Sequence, residues 1–512
     1  MDNPFERLAR GSSYLLMGNA ASSVVGAVFW IVLAKMLDAQ HIGEAMIVIS
    51  LITSITAFTG SGVQAALAKY IAEYNARNEH NKAKRVIKIG LLISLLLSSL
   101  VGVILFLLSD SISIIYNSEG IAPLIALASL SYIPANAIVS SISSVYTAYH
   151  RTEYVLLTTI IFQASRLAVS IALVYYGLYS LAIISGFSIA AVINAVMGYI
   201  IMQQLTKTKM YQSRRSGDKR GGSAEREAPD EKSIPSKDDM ISIKALLAFS
   251  GFNYIATGLR TTRNQIGVLA IGTSSIELSA FYGVSSLIAN VIGQVMLSIA
   301  GMLLPTASEE IARGNRDSVR NLFSVAIRLA LVFNGFLVLL LLIEPAYILR
   351  LISHSYVEAS DALRILVIAY LINSTSNMMA ALLNALNRAR DIAVRESISS
   401  AIIVALTLIL VPILGIEGAA FALLVGSLSN LMLSYMLVKR QGFSLQMRVY
   451  RAALSIGVAF TLGYILLAVY NNTLMALILA LSVHALFSLA VKAMSMREVA
   501  VILNTILARG GR

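Results

Sequence analysis

Apolar stretches of about 20 residues or more, each long enough to cross a bilayer, recur along the whole chain between short polar breaks. They predict fourteen membrane-spanning helices, near 12–34, 42–66, 86–108, 121–147, 154–176, 178–204, 246–271, 278–304, 320–343, 362–386, 393–412, 416–438, 450–470 and 473–494. Several spans carry polar residues at steps of three or four, which places them on one face. The seventh has Asn253, Thr257, Arg260, Asn264 and Gly267. The first has Asn19, Ser22, Ser23 and Gly26, the eighth Asn290 and Gln294, and the tenth Asn373, Asn377 and Asn384. A helix satisfies its own backbone, but these side chains need protein or water, so the stripes face an interior rather than lipid. Some of them will be ordinary interhelical hydrogen bonds.

Charge tests the count. With the first residues inside, three basic residues lie outside (Lys35, Arg350, Arg364) and four within spans (Arg166, Arg260, Arg263, Arg328). The remaining 33 of the 40 Lys and Arg fall in cytoplasmic segments and the span ends beside them. A missed helix would scramble this alternation, so both termini are expected in the cytoplasm. The net charge of +13 follows from the same rule and does not indicate a nucleic-acid partner, since no basic stretch sits in a soluble domain. Only 13% of residues are charged and mean hydropathy is +0.76, which excludes a soluble globular protein. The chain has no cysteine, hence no disulfide and no thiolate chemistry.

Residues 205–243 break the pattern. They mix both charge signs with Gly, Ser and Pro, lack a core-forming composition, and read as a disordered cytoplasmic linker. The linker divides a six-helix bundle over 1–204 from a second over 244–440, with two further helices and a tail over 441–512. A shift of about 236–238 positions lays the first bundle on the second. "TAYHRTEYVLLTT" (147–159) falls on "ALNRARDIAVRES" (385–397), and "YYGLYSLAI" (175–183) on "ILGIEGAAF" (413–421), with Gly177 on Gly415. "DAQHIGEAMIVISLI" (38–52) falls on "SSIELSAFYGVSSLI" (274–288). Six is even, so the two units have the same orientation, a parallel repeat of the kind found in transporters. The expected class is an all-α polytopic membrane protein: two repeated bundles plus two helices.

This six-plus-six-plus-two layout, with the opening "ARGSSYLLMGNAASSVVGAVFWIVLAKMLDAQHIGEAMIVISLITSITAFTGSG", resembles the lipid-linked oligosaccharide and polysaccharide-repeat-unit flippases of the multidrug/oligosaccharidyl-lipid/polysaccharide (MOP) exporter superfamily. The resemblance spans nearly the whole chain except the linker. It implies alternating access between two bundles in the cytoplasmic membrane, a lipid-linked oligosaccharide as cargo, and no cofactor or covalent chemistry. Membrane lipid and glycosyltransferases are the expected partners, and a monomer the expected state.

Other patterns carry less. "GSGVQA" (60–65) fits a loose dinucleotide pattern but lies inside a span, where it suggests a weakened or hinged helix. Pro134 is expected to kink the fourth span. The five histidines lack metal-ligand spacing, and Glu309–Glu310 sit at a solvated helix end.

The intramembrane arginines carry more. Arg260 lies roughly 21 Å and Arg166 roughly 18 Å along their helices from the cytoplasmic ends, deep in a core about 30 Å thick. Arg263 can reach the outer surface and Arg328 the inner one. No Asp or Glu occupies the middle of a span, so acidic partners are not expected. Near the repeat-related positions stand Ser22 for Arg260 and Val404 for Arg166, so the charges belong to one half only. An anionic ligand would offset their desolvation and accept paired hydrogen bonds. The candidate substrate-binding set is therefore Arg260, Arg263, Arg166, Asn264, Asn253, Asn19, Asn290, Gln294, Asn373 and Asn377.

Three functions compete. A flippase would bring the carrier's phosphate to the arginines and the sugars to the amide and hydroxyl stripes. A cation-coupled drug exporter of the same superfamily would need a membrane-embedded carboxylate, and a positive interior would repel cationic drugs. A membrane glycosyltransferase or polymerase would need acids or bases at a membrane face, often on larger external loops, and would turn over a sugar nucleotide.

Overall fold

The computed structural model describes residues 25–26, 28–76, 79–149, 151–217 and 256–494. Among them, regular structure is helical throughout. Among the described residues, eleven helices are long and apolar enough to cross a membrane. One of these, Ala389–Arg440, is two spans joined at Gly415, where φ is 56° and ψ −129°. The remaining two of the expected fourteen are described only in part, over 28–36 and 256–272.

The repeat has a local conformational counterpart. Gly177 separates Thr152–Tyr175 from Tyr179–Gly217, and Gly415 bends Ala389–Arg440 at the aligned place. Both glycines have positive φ, 81° and 56°. A Cβ is disfavoured there, so the chain reverses between spans without a long loop.

Local departures from the sequence-based expectations have physical causes. The helix Ala39–Ala76 runs through 60–65 without interruption, so "GSGVQA" does not break it. The sixth span was expected to end at 204, but its helix continues to Gly217. The extension carries Leu205, Lys207, Lys209, Met210, Gln212, Arg214 and Arg215, which all favour helix. Before Pro134 the fourth span widens into a π turn, Ala128–Tyr132, between Ile121–Leu127 and Ile133–Ala148. Proline lacks an N–H and crowds the carbonyl four residues back, and the wider turn accommodates both effects.

The described chain forms two compact units, Val48–Thr262 and Met1–Ile47 with Arg263–Arg512. In the first, Leu67, Ile71, Ile87, Ile142, Val145 and Met202 pack around Tyr146, whose hydroxyl donates to the Gly198 carbonyl at 2.6 Å. In the second, Met447–Tyr470 and Thr473–Ala490 form a hairpin packed on Arg316–Ile343. His484 fastens it. Its Nδ1 lies 3.2 Å from Ser455 Oγ, its Nε2 2.9 Å from the Val332 carbonyl, and its ring meets Phe336 edge-on. Gly335 gives this imidazole room, because a Cβ there would strike it. The scattered histidine of the sequence is thus an internal clamp.

Candidate functional site

In the unit Val48–Thr262, three helices enclose a groove of about 240 Å³. Thr53, Thr56 and Gln64 come from Ala39–Ala76, Asn136 and Ser140 from Ile133–Ala148, and Thr257 and Thr261 from helix 256–272. Three of its five hydroxyls are already oriented. Thr56 donates to the Ile52 carbonyl at 2.8 Å, Ser140 to Asn136 at 2.8 Å, and Thr261 to Thr257 at 2.9 Å. Each spends its proton on its own helix and leaves lone pairs to accept. Gln64 and Asn136 add amides that both donate and accept. Among the described residues, no charged side chain lines the groove. Arg260 stands on helix 256–272 between Thr257 and Thr261, half-buried, and no carboxylate among the described residues forms an ion pair with it.

Elsewhere in this unit Arg166 is buried against aromatic rings. Its guanidinium carbon lies 4.6 Å from the Phe187 ring centre and 5.7 Å from that of Phe162. Tyr132, at the end of the π turn, stacks edge-on against Phe187. The rings offer their negative faces to a charge that hydrocarbon alone would not tolerate.

The unit containing Arg263–Arg512 holds a different construction. Arg263 donates to Glu396 Oε2 at 2.6 Å and to Asn373 Oδ1 at 2.7 Å. The other carboxylate oxygen of Glu396 accepts from Arg395 at 2.5 Å. Arg395 also donates to the Ser376 carbonyl at 3.0 Å and to Ser434 Oγ at 2.6 Å. Asn430 joins through Asn373 at 3.3 Å, and Ser399 donates to the Gly426 carbonyl at 2.8 Å. The three ionic side chains are at most 1% exposed. For Arg263 this overturns the expectation of no acidic partner. Glu396 sits at the edge of the predicted eleventh span and is folded into the core. Arg263 and Arg328 also do not reach the surfaces: both are buried, at 2% exposure.

The ten candidate residues therefore divide. Arg263 and Asn373 are brought together, bonded to each other. Arg260 stands between two residues of the groove, and Arg166 is in its aromatic cage. Asn290 and Gln294 are half-buried one turn apart on Ile276–Ala312. Asn264 and Asn377 are half-buried, each with its side-chain oxygen enclosed and without a hydrogen-bond partner among the described residues. Asn19 and Asn253 lie outside the described residues. Residues not singled out in the sequence include Glu396, Arg395, Thr53, Thr56, Gln64, Asn136 and Ser140. The groove residues had a readable signal, since 53, 56 and 64, and 136 and 140, each share a helical face.

The fold is that of the MATE transporters. An inward-facing multidrug resistance MATE family transporter of the MOP superfamily superposes with a TM-score of 0.65 at 10% identity, covering 83% of this chain and 99% of that one. An outward-facing structure of such a transporter gives 0.62 at 12%, covering 86% and 96%. A mutant of the Vibrio cholerae MATE transporter VcmN gives 0.60 at 13%, covering 85% and 97%. No curated protein sequence matches the chain significantly. Residues 8–311, more than half of the chain, match the family described as "Polysaccharide biosynthesis protein", and the chain belongs to that family. It is a multi-pass membrane protein with the fold of a transporter.

Proposed function

We propose that this protein is a flippase that moves a polyprenyl- or dolichyl-phosphate-linked oligosaccharide from the cytoplasmic to the outer leaflet by alternating access. The groove of Thr53, Thr56, Gln64, Asn136, Ser140, Thr257 and Thr261 carries the reading. Its pre-bonded hydroxyls present acceptors, which suit the many donor hydroxyls of a glycan and give a cationic drug no countercharge. Arg260, on the same helix as Thr257 and Thr261, supplies a fork for the carrier's phosphate. The description of the matched family supports a polysaccharide precursor as cargo.

Glu396 favours a second reading, because a cation-coupled drug exporter needs a carboxylate within the membrane. Both of its oxygens are bound by guanidinium groups, so it offers no open seat for a proton or sodium ion. Liposomes holding the purified protein should move a fluorescent lipid-linked oligosaccharide between leaflets, with the glycan chemically unchanged. Cation-driven efflux of a cationic dye without glycan movement would replace this reading with the exporter.

The distribution of Lys and Arg supports a cytoplasmic location for both termini and the linker. The natural absence of cysteine makes a clean test. Single cysteines at Ser216 and Asn472 should react with an impermeant thiol reagent from opposite sides of the membrane. Labelling of both from one side would reverse the topology.

A further inference from the structure

The bend at Gly415 brings the two ends of Ala389–Arg440 back beside each other, and between them lies a groove of about 510 Å³. Its rim is basic: Arg388, Arg390 and Arg440 are exposed, with Asp391 as the one acidic residue in the lining. Arg388 touches Gln441 at 3.5 Å, and no ion pair joins these three arginines to a carboxylate among the described residues. Below the rim the walls turn apolar. Val394, Ile398 and Met436 are exposed, and Leu433 and Leu437 continue the surface one turn along. Arg395 forms the floor, where it is held by Ser434, the Ser376 carbonyl and Glu396.

This arrangement has two chemical zones in the right order for one ligand. Cations cluster at the end of membrane-crossing helices, where lipid headgroups lie, and exposed apolar side chains follow toward the hydrocarbon. A soluble anion would have no use for the apolar wall, and a neutral lipid none for three unneutralised guanidiniums. We propose that this groove is a binding site for an anionic membrane phospholipid, with its phosphate held by Arg388, Arg390 and Arg440 and its acyl chains lying along Val394, Ile398, Leu433 and Met436. Basic recesses between membrane helices are suited to lipid phosphate by charge and by the forked donor geometry of arginine. The site is separate from the hydroxyl groove and stands whether or not the cargo is a glycan.

The chain's one tryptophan, Trp30, gives a low optical background. Met436→Trp in a Trp30→Phe protein places a reporter in the apolar wall. Phosphatidylglycerol brominated on its acyl chains should quench it at a lower mole fraction than brominated phosphatidylcholine. Combining Arg388→Ala, Arg390→Ala and Arg440→Ala should raise the half-quenching fraction by roughly a hundredfold, about fivefold for each of the three interfacial cations lost. Native mass spectrometry of the protein with Trp30 and Met436 intact, with and without the triple change, reads the same preference as retained phosphatidylglycerol and covers a reporter that does not fold. Equal quenching or retention of the two lipids, or no effect of the triple change, would overturn the proposal. So would displacement showing that polyprenyl phosphate binds and phosphatidylglycerol does not, which would assign the groove to the carrier lipid.

Discussion

Glu396→Ala is expected to lower stability by about 3–5 kcal/mol, the usual cost of removing one partner from a buried ion pair. Glu396 faces two buried guanidiniums, Arg263 and Arg395. Its removal leaves both charges in a water-poor interior without this countercharge. Arg263→Met should be milder, at about 1–3 kcal/mol, because it leaves a one-to-one pair of Glu396 with Arg395. Asn373 Oδ1 then keeps its contact from Asn430. Thermal unfolding of the purified variants in detergent measures both. If Arg263→Met is as damaging as Glu396→Ala, the network does not behave as a charge balance. If Glu396→Ala is neutral, the cluster is not holding the unit together.

The second large effect concerns transport. Arg260→Ala should slow lipid-linked oligosaccharide translocation by roughly tenfold to a hundredfold, equivalent to one charge-assisted hydrogen-bonding group worth about 1.5–3 kcal/mol. Its melting temperature should stay close to that of the unsubstituted protein, because Arg260 is half-buried and pairs with no carboxylate among the described residues. Arg260→Lys should recover part of the rate, since an ammonium keeps the charge and loses the planar fork. Arg260→Glu should be slowest, with an anion facing the carrier's phosphate. Translocation and melting are to be measured on the same preparations. Unchanged translocation in Arg260→Ala would remove the phosphate role, and early melting would assign Arg260 to architecture beside Arg263.

The contrast between these two arginines shows what a sequence can carry. Both lie in one apolar run, three residues apart, and hydropathy treats them alike. Only packing separates them: Arg263 faces Glu396, 133 residues away, whereas Arg260 stands between two groove threonines. Glu396 itself follows Arg395 in "RES", a dipeptide of opposite charges at a span edge, which looks like a solvated loop until the fold encloses it.

Span number, helical class and the parallel repeat were determined by the sequence, because each rests on a local or periodic property. About 20 apolar residues make a crossing, and a glycine at φ > 0 marks the same turn at Gly177 and Gly415. The tertiary structure decided which polar residues neutralise one another and which face open space. That choice depends on side chains brought together from distant spans, and in a low-dielectric interior the energy of a charge is set by whatever lies within a few ångströms of it.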